Sequence, residues 1–304
     1  MGTDEDGQGG GVTGCGRHLV VLGAGYVGGE VVRQGLARGM RVTALTRNGA
    51  KARALAEAGA EVIVDDLAGA AWHSHAAVRD GADYVLNCVS SGGGGLEGYR
   101  HSYGGGTKSV LAWASGVRVG AIVYTGSTSV YPQGGGVRVD ETASVEETRA
   151  AGSPLVEAED LLLAWTGGKR CVLRLAGIYG PGRHYLLDQL RDGSGEVAGH
   201  GEHRLNLIHR NDIAGAVWAA FDGGAEGVFN VADDGAAAKI EVTAWLAMKL
   251  GMARPRFTGE PATGRRRVTP DRVIANDKIK RVLGWRPVYP SFREGYAAIL
   301  RRGA

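Results

Sequence analysis

A glycine motif between the first strand-like run and the first helix-like run constrains the fold more than any other feature of the sequence. The apolar run HLVVL leads directly into the spacing G-x-G-x-x-G, and the helical pattern GGEVVRQGLARG overlaps its end. In such a turn the first glycine permits the tight bend, the second lets the backbone approach a pyrophosphate, and the third lets the helix pack closely on the strand. The amides and the dipole at the helix N-terminus favour an anion there. This placement predicts a dinucleotide site with contacts from the motif itself: Gly23, Gly25, Tyr26, Val27 and Gly28.

The order of the segments that follow predicts a doubly wound α/β fold. Strand-like runs such as MRVTALT, AEVIVDD, ADYVLNCVS, AIVYTGS and RCVLRLAG alternate with helical stretches of crossover length. Such alternation predicts a parallel, Rossmann-type sheet with helices on both faces. Helical patterns dominate after about residue 178, which predicts a smaller, mixed C-terminal lobe over the carboxyl ends of the strands. We expect a disordered glycine-rich tail at 1–17, a dinucleotide-binding domain at 18–177 and a substrate-binding lobe at 178–304, the last two forming one integrated unit.

The ends of the second, third and fourth strands predict further cofactor contacts. The second strand ends in Thr46 and Arg47, about 20 residues after the motif, where an NAD site usually carries a carboxylate. A hydroxyl and a guanidinium suit a 2′-phosphate, so NADP(H) is favoured, while NAD(H) is the alternative if Arg47 simply faces solvent. At the next two strand ends we expect the adenine pocket and contacts to the cofactor phosphates and ribose, from Asp65, Asp66, Leu67, Asn87, Cys88, Val89 and Ser90.

Four more motifs extend the pattern over nearly the whole chain. They are YTGSTSVY from Tyr124, LRLAGIYGPGR from Leu173, NLIHRNDIA from Asn206 and NDKIKRVLGWRPVYPSFREG from Asn276, the last of which resembles the tail of an atypical subgroup. With the glycine motif, they make the chain from Leu19 to Leu300 resemble the extended short-chain dehydrogenase/reductase superfamily, also called the NAD-dependent epimerase/dehydratase family. The resemblance implies a nicotinamide cofactor and a small-molecule substrate, often a nucleotide-linked sugar or another polyhydroxylated metabolite.

The resemblance also assigns roles to individual residues. It implies that Ser127, with Thr128 beside it, holds the substrate hydroxyl, and that Gly177 and Ile178 lie against the cofactor. It allows a homodimer through the helices of the fourth and fifth crossovers, as is usual among relatives.

One family motif is missing. Members carry a Y-x-x-x-K pair at the start of the helix that later reads A-E-x-L-L, the tyrosine as acid/base and the lysine to lower its pKa. Anchoring this helix on Glu159 puts the two positions at Ala151 and Leu155, and residues 132–168 contain no tyrosine or lysine at all. The chain is therefore an atypical member by this resemblance, because neither side chain can move a proton.

Other residues are candidates for the missing acid/base. Tyr131 lies at the mouth of the loop that carries Ser127, and Tyr99, His101 and Tyr103 precede the fourth crossover helix, where we expect them to face the substrate. Each has a structural alternative, since Tyr131 could pack under the loop and the other three could form a solvated cap.

Four residues of the second lobe are candidate substrate contacts. The resemblance puts the pair Arg183 and His184, and the flanks of a short strand at Asn206 and His209, near the substrate. A basic pair suits a phosphate or a carboxylate. A buried histidine bonded to the backbone is the alternative for His209.

Charge and composition exclude several classes. The 35 basic and 32 acidic residues are interspersed apart from an arginine triplet at 265–267, which argues against nucleic acid as a partner. The chain offers neither about 18 consecutive apolar residues for a membrane span nor a metal-ligand spacing among Cys15, Cys88 and Cys171. We therefore expect a cytoplasmic protein without a metal site or a membrane contact.

Two functions remain. The first is an epimerase, dehydratase or reductase with a non-standard acid/base, for which a specialised biosynthetic pathway is one setting. The second is a catalytically inactive cofactor-binding protein that acts as a sensor or a structural partner. The retained Ser127 and Thr128 favour the enzyme.

Overall fold

The computed structural model of the protein describes residues 16–192, 195–260 and 270–301. The expected N-terminal tail lies outside these residues except for positions 16 and 17, as do Cys15 and the arginine triplet. The strands are β1 (His18–Leu22), β2 (Arg41–Thr46), β3 (Glu61–Val64), β4 (Ala82–Asn87), β5 (Val119–Ser127), β6 (Val137–Val139), β7 (Lys169–Leu175), β8 (Gly177–Tyr179), β9 (Glu196–Val197), β10 (Arg204–Leu205), β11 (Leu207–His209), β12 (Gly227–Val231), β13 (Ala237–Ala238), β14 (Arg256–Phe257) and β15 (Arg272–Ile274).

The helices connect these strands on both faces of the sheet. They are α1 (Tyr26–Ala37), α2 (Gly49–Glu57), α3 (Gly95–Tyr99), α4 (Gly106–Gly116), α5 (Glu146–Ala150), α6 (Pro154–Ala164), α7 (Tyr185–Arg191), α8 (Arg210–Asp222), α9 (Lys239–Lys249), α10 (Asp277–Leu283) and α11 (Phe292–Arg301), with a π-helical segment Arg100–Gly105 that joins α3 to α4 and 3₁₀ turns at Ala71–Ser74 and Thr128–Val130.

Seven parallel strands form the central sheet, in the order β12-β7-β5-β4-β1-β2-β3. Parallel strands covered on both faces read as near-continuous apolar runs, and all five residues of β1 are buried. Alternate residues of β1 enter different core clusters, Val21 packing with α1 and α8 on one face and Val20 with α4 and α6 on the other. The doubly wound α/β fold is confirmed.

The chain order reverses at β1, which has β2 on one side and β4 on the other. At such a switch point the loops after neighbouring strands run in opposite directions and leave a crevice at the carboxyl ends. The glycine motif follows β1 and Cys88 follows β4, so the fold places these two loops at this crevice.

The second lobe is small and mixed, as expected, with a core that includes α7, α9 and α11. The chain does not stay in it after residue 178, however. Strand β12 returns as the edge of the central sheet beside β7, and α8 packs against α1. The sequence shows β12 only as a short apolar run, and pairing between strands distant in sequence cannot be inferred from such a run.

No helix in the described ranges has the length and apolar content to cross a membrane. Within those same ranges, no three His, Cys, Asp or Glu side chains are arranged to hold a metal ion.

Candidate functional site

A cavity of about 720 Å³ lies along the carboxyl ends of the central strands. Its lining comes from the loops after β1, β2, β3 and β4, from the start of α2, from the π-helical segment, from the end of β5, and from the segments after β7 and β8. The lining residues are Gly23, Gly25, Tyr26, Val27, Leu45, Thr46, Arg47, Asn48, Lys51, Asp66, Leu67, Cys88, Val89, Ser90, Gly92, Ser102, Tyr103, Thr125, Gly126, Ser127, Leu175, Ala176, Ile178 and Arg183.

The glycine loop fits the role its spacing predicts. Gly23 has φ of +91°, and a Cβ there would lie 2.7 Å from the Val89 backbone, so only glycine fits. A Cβ on Gly28 would lie 2.6 Å from the Gly23 carbonyl oxygen, which explains why this glycine supports the turn without lining the cavity. Gly25 caps α1, whose first turn contains no acidic residue, so the helix N-terminus is open to an anion.

The end of the cavity beside β2 combines a hydroxyl, an amide and two cations. The Asn48 amide donates to Thr46 Oγ1 over 3.2 Å, and Asn48 Oδ1 accepts from the Lys51 amide over 2.9 Å as the N-cap of α2. Arg47 reaches Asp66 at 3.3 Å between Nη1 and Oδ2, across the mouth of this end. Asp66 also meets His101 Nε2 at 3.1 Å from its Oδ1.

The loop after β4 forms the wall opposite the glycine motif. Cys88 Sγ donates to the Gly23 carbonyl oxygen over 3.1 Å, and burial raises the pKa of its thiol to about 12. The cysteine therefore braces the two loops as a neutral thiol. Val89 and Ser90 line the cavity, whereas Asn87 is buried beneath it and its Nδ2 lies 3.4 Å from Thr107 Oγ1.

The other end of the cavity is formed by the end of β5 and the start of the second lobe. Ser127 is partly exposed and its Oγ accepts from the Ser129 amide over 3.1 Å, which leaves the hydroxyl proton available. Tyr103 and Arg183 border the same cavity from the π-helical segment and the second lobe. The Tyr26 hydroxyl donates to the Pro181 carbonyl oxygen over 3.0 Å and so joins the glycine loop to that lobe.

A buried ion pair supports this end from below. Arg174 on β7 donates to both carboxylate oxygens of Glu159 on α6, with N–O distances of 3.1, 3.0 and 2.6 Å. A Cβ on Gly126 would lie 2.9 Å from Glu159 Oε1, so the pair lies directly under the residue before Ser127. The pair thus fixes the end of β5 to α6 and β7.

Two of the candidate catalytic residues do not reach the cavity. Tyr131 is buried, and its hydroxyl donates to Asn230 Oδ1 over 2.8 Å while Arg174 lies over its ring. Thr128 is buried, and its carbonyl oxygen accepts from Arg272 over 2.9 Å. This packing corresponds to the structural alternative for Tyr131, a ring held under the loop.

The structure places the remaining candidates outside the cavity lining as well. Asn206 binds the Arg272 oxygen and the Ile274 amide, and the buried His209 ring accepts from the Asn211 amide at the start of α8. The others lie nearby but beyond the lining: Asp65 and Gly177 beside lining residues, Tyr99 with its ring against Tyr103, His101 at Asp66, and His184 paired with Asp188.

Sequence reasoning missed several lining residues. Asn48 and Lys51 could have been found, because an asparagine before a helical run is an N-cap signal and the lysine is in the first turn. Ser102, Thr125, Gly126, Leu175 and Ala176 carry no such local signal, since register between distant segments brings them together.

Comparison with known proteins supports the family that the sequence motifs indicate. A family model described as the NAD dependent epimerase/dehydratase family matches residues 19–232. Protein YeeZ of Escherichia coli (strain K12) is 32% identical over 174 residues, 57% of this chain and 60% of that protein. The 3-diazoavenalumate denitrifying reductase of Streptomyces sp is 31% identical over 136 residues, 41% of this chain and 45% of the reductase. These matches span less than two thirds of either relative.

A solved structure shows the same fold over nearly the whole chain. The structure of MoeE5 in complex with UDP-glucose and NAD matches with a TM-score of 0.76 and 22% identity, covering 94% of this chain and 99% of that one. At this identity the likeness concerns the fold alone.

Proposed function

The chain belongs to the NAD-dependent epimerase/dehydratase family, and from that premise we propose that it is an NADP(H)-using enzyme of the epimerase, dehydratase or reductase type. Its substrate is a nucleotide sugar or another polar hydroxylated metabolite. The observation that carries this proposal is the continuity of one cavity, which joins the glycine loop, the two cations beside β2 and the Ser127 hydroxyl. A protein that only binds a dinucleotide has no need of the Ser127 end.

The residues present fit a nicotinamide dinucleotide. Gly25 and the N-terminus of α1 offer backbone amides to a pyrophosphate, and the glycines leave the space that the approach of such a group requires. Val89 and Ser90 lie opposite, where a ribose and a nicotinamide would be held. When bound, the nicotinamide would give or take a hydride at one carbon of the substrate.

The β2 end favours the 2′-phosphorylated form of the cofactor. Thr46, Arg47, Asn48 and Lys51 offer a hydroxyl, an amide and two cations, and no carboxylate stands at the end of β2 to bind the ribose hydroxyls of NAD. Asp66, the nearest lining carboxylate, is already paired with Arg47. Charge-assisted hydrogen bonds to a phosphate are the stronger contacts that such a set can make.

Ser127 and Arg183 are the chain's own groups at the substrate end. The Ser127 hydroxyl is placed to donate to the substrate oxygen at the reacting carbon, because its Oγ already accepts from the Ser129 amide. Arg183 is suited to a substrate phosphate or carboxylate. A nucleotide sugar carries both a hydroxylated ring and a diphosphate, so it satisfies the two groups together.

This proposal is tested by incubating the purified protein with NADP(H) or NAD(H) and with UDP-glucose and dTDP-glucose as probes. Product analysis by NMR and mass spectrometry should show conversion of one probe in the presence of NADP(H). Ser127→Ala should then lower kcat about 100-fold while cofactor affinity stays unchanged, because the hydroxyl acts on the reacting oxygen.

The second candidate function is a cofactor-binding protein without chemistry. It is favoured by the lack of any tyrosine or lysine in residues 132–168. Tight NADP(H) binding with no conversion of either probe, together with a cofactor-dependent change in association with another protein, would support it over the enzyme.

A further inference from the structure

The proposed chemistry needs a group that moves a proton at the substrate oxygen, and the usual helix does not supply one. Ala151 follows the end of α5, and Leu155 is a buried core residue in the first turn of α6. The two positions therefore do not even share a helix, since residues 151–153 separate α5 from α6. The proton must come from elsewhere in the cavity.

Two titratable lining residues are too far from Ser127. Asp66 follows β3 and Lys51 lies on α2 after β2, whereas Ser127 ends β5. Adjacent strands are about 4.8 Å apart, so the four steps from β5 to β3 amount to about 19 Å, and the three to β2 to about 14 Å. Neither group can reach an oxygen bound by Ser127.

Others are unsuited by chemistry or by existing bonds. Arginine keeps its proton in proteins, which excludes Arg47 and Arg183 as donors. Cys88 donates to the Gly23 carbonyl oxygen, and its pKa of about 12 keeps it a neutral thiol. Tyr26 donates its proton to the Pro181 carbonyl oxygen. Among the lining residues that the structure describes, Tyr103 remains.

We propose that Tyr103 is the proton donor, supplied by the π-helical segment in place of the missing tyrosine of α6. This inference rests on the proposed function. The segment Arg100–Gly105 interrupts an otherwise continuous helix, and π turns of this kind often mark functional sites. The glycines after Tyr103 bring the segment close to its neighbours, since a Cβ on Gly104 would lie 3.3 Å from Glu157 Oε2 and one on Gly106 3.2 Å from Leu67.

The surroundings of Tyr103 keep its phenol protonated. Burial, and to a smaller extent the adjacent Tyr99, raise its pKa, and the Ser91 amide opposes this only in part. Tyr124 on β5 also lies close to it, and Glu157 on α6, which is paired with Lys108, lies beside Gly104. No lysine stands in the segment where the family places one to lower the pKa. A protonated phenol suits donation and not abstraction.

Tyr103 therefore fits the reductive direction. The carbonyl carbon of the substrate gains a hydride from the reduced dinucleotide, the carbonyl oxygen gains the Tyr103 proton, and a hydroxyl results. The phenolate that is left recovers a proton from water, which restores the starting state.

Two measurements test this assignment. The first is the NADPH-dependent reduction of a nucleotide-linked keto sugar, which carries the carbonyl that UDP-glucose and dTDP-glucose lack. Tyr103→Phe should lower kcat about 100-fold or more and leave the Kd for NADPH unchanged, whereas Tyr185→Phe, a change to an exposed tyrosine on α7, should match the wild type. Tyr103→His, which can also donate a proton, should recover part of the rate with a new pH profile. A Tyr103→Phe variant with wild-type kcat overturns the proposal.

The second measurement needs no substrate. In protein labelled with ¹³C at the tyrosine Cζ, the Tyr103 signal is the one lost in Tyr103→Phe, and it is followed over a pH series with NADP⁺ or with NADPH. The cationic nicotinamide of NADP⁺ favours the phenolate, so the Tyr103 signal should titrate at lower pH with NADP⁺ than with NADPH. Identical titrations overturn the assignment. A difference without conversion of any nucleotide sugar supports Tyr103 and overturns the proposed substrate class instead.

Discussion

The buried ion pair between Arg174 and Glu159 should be the most sensitive point of the fold beneath the site. The two side chains are 7% and 2% exposed, and three hydrogen bonds join them. Removing one partner of such a pair leaves an uncompensated buried charge, so Arg174→Met should lower the free energy of unfolding by about 3–5 kcal/mol. Replacing both partners, as in Arg174→Met with Glu159→Leu, should recover most of that loss.

The loss should also depend on pH. Burial already raises the pKa of Glu159, and removal of Arg174 takes away the group that opposes this. A carboxyl whose pKa is higher in the folded than in the unfolded state binds more protons when folded. Its contribution to stability therefore falls as the pH rises from the unfolded-state pKa to the folded-state pKa. The deficit of Arg174→Met should therefore be smaller at about pH 5 than at about pH 8.

Urea denaturation followed by circular dichroism and fluorescence measures both effects, and an exposed pair is the control. Arg41 and Glu61 make the same kind of bond with 45% and 47% of their side chains exposed, so Arg41→Met should cost less than about 1 kcal/mol. The reasoning is refuted if Arg174→Met costs no more than Arg41→Met, or if the double variant is as unstable as the single one.

Two further predictions concern the cofactor and the segment after β12. Arg47→Ala and Lys51→Ala should each weaken NADPH binding about tenfold and leave NADH binding unchanged, as measured by calorimetry. A loss of about tenfold is at the low end of the range for a charged hydrogen bond, and we expect it because Arg47 is shared with Asp66. Equal losses for both cofactors contradict this prediction. Burial raises the pKa of Asp233 to about 8, so the folded protein keeps this proton, and stability from this group declines by about 1.4 kcal/mol per pH unit from about pH 4 to about pH 8. Asp233→Asn cannot ionise and should show a smaller fall in Tm between about pH 5 and about pH 8 than the wild type, and an unchanged slope counts against the assignment.

The parts of the site that sequence reasoning predicts are those encoded locally. The glycine motif, Thr46 with Arg47, and Ser127 each follow a strand directly, and the carboxyl ends of parallel strands meet at one edge of the sheet. That rule alone brings them into one cavity. The apolar runs likewise predict β1, β2 and β4, because a strand that is covered on both faces is apolar along most of its length.

The parts that escape prediction depend on register between distant segments. The pairing of Arg174 with Glu159 depends on which face α6 turns toward β7. Strand β12 joins the sheet beside β7, a partner more than 50 residues away in the chain. A π-helical turn contains one extra residue but requires no special residue type. The sequence around Tyr103 therefore shows a cluster of aromatic residues, but it does not show that the Tyr103 side chain faces the cavity.

The same dependence on distant segments bears on how this chain differs from its family. With Ala151 outside the helix and Leu155 in the core, α6 is left to hold Glu159 under Gly126 and so to fix the end of β5. Ser127 keeps its position at the cavity although the tyrosine and lysine of the family motif are absent, and the proposed donor, Tyr103, lines the same cavity from the π-helical segment. We therefore assign Tyr103 the role of a proton donor, because burial raises the pKa of its phenol and no lysine occupies the family position that would lower it.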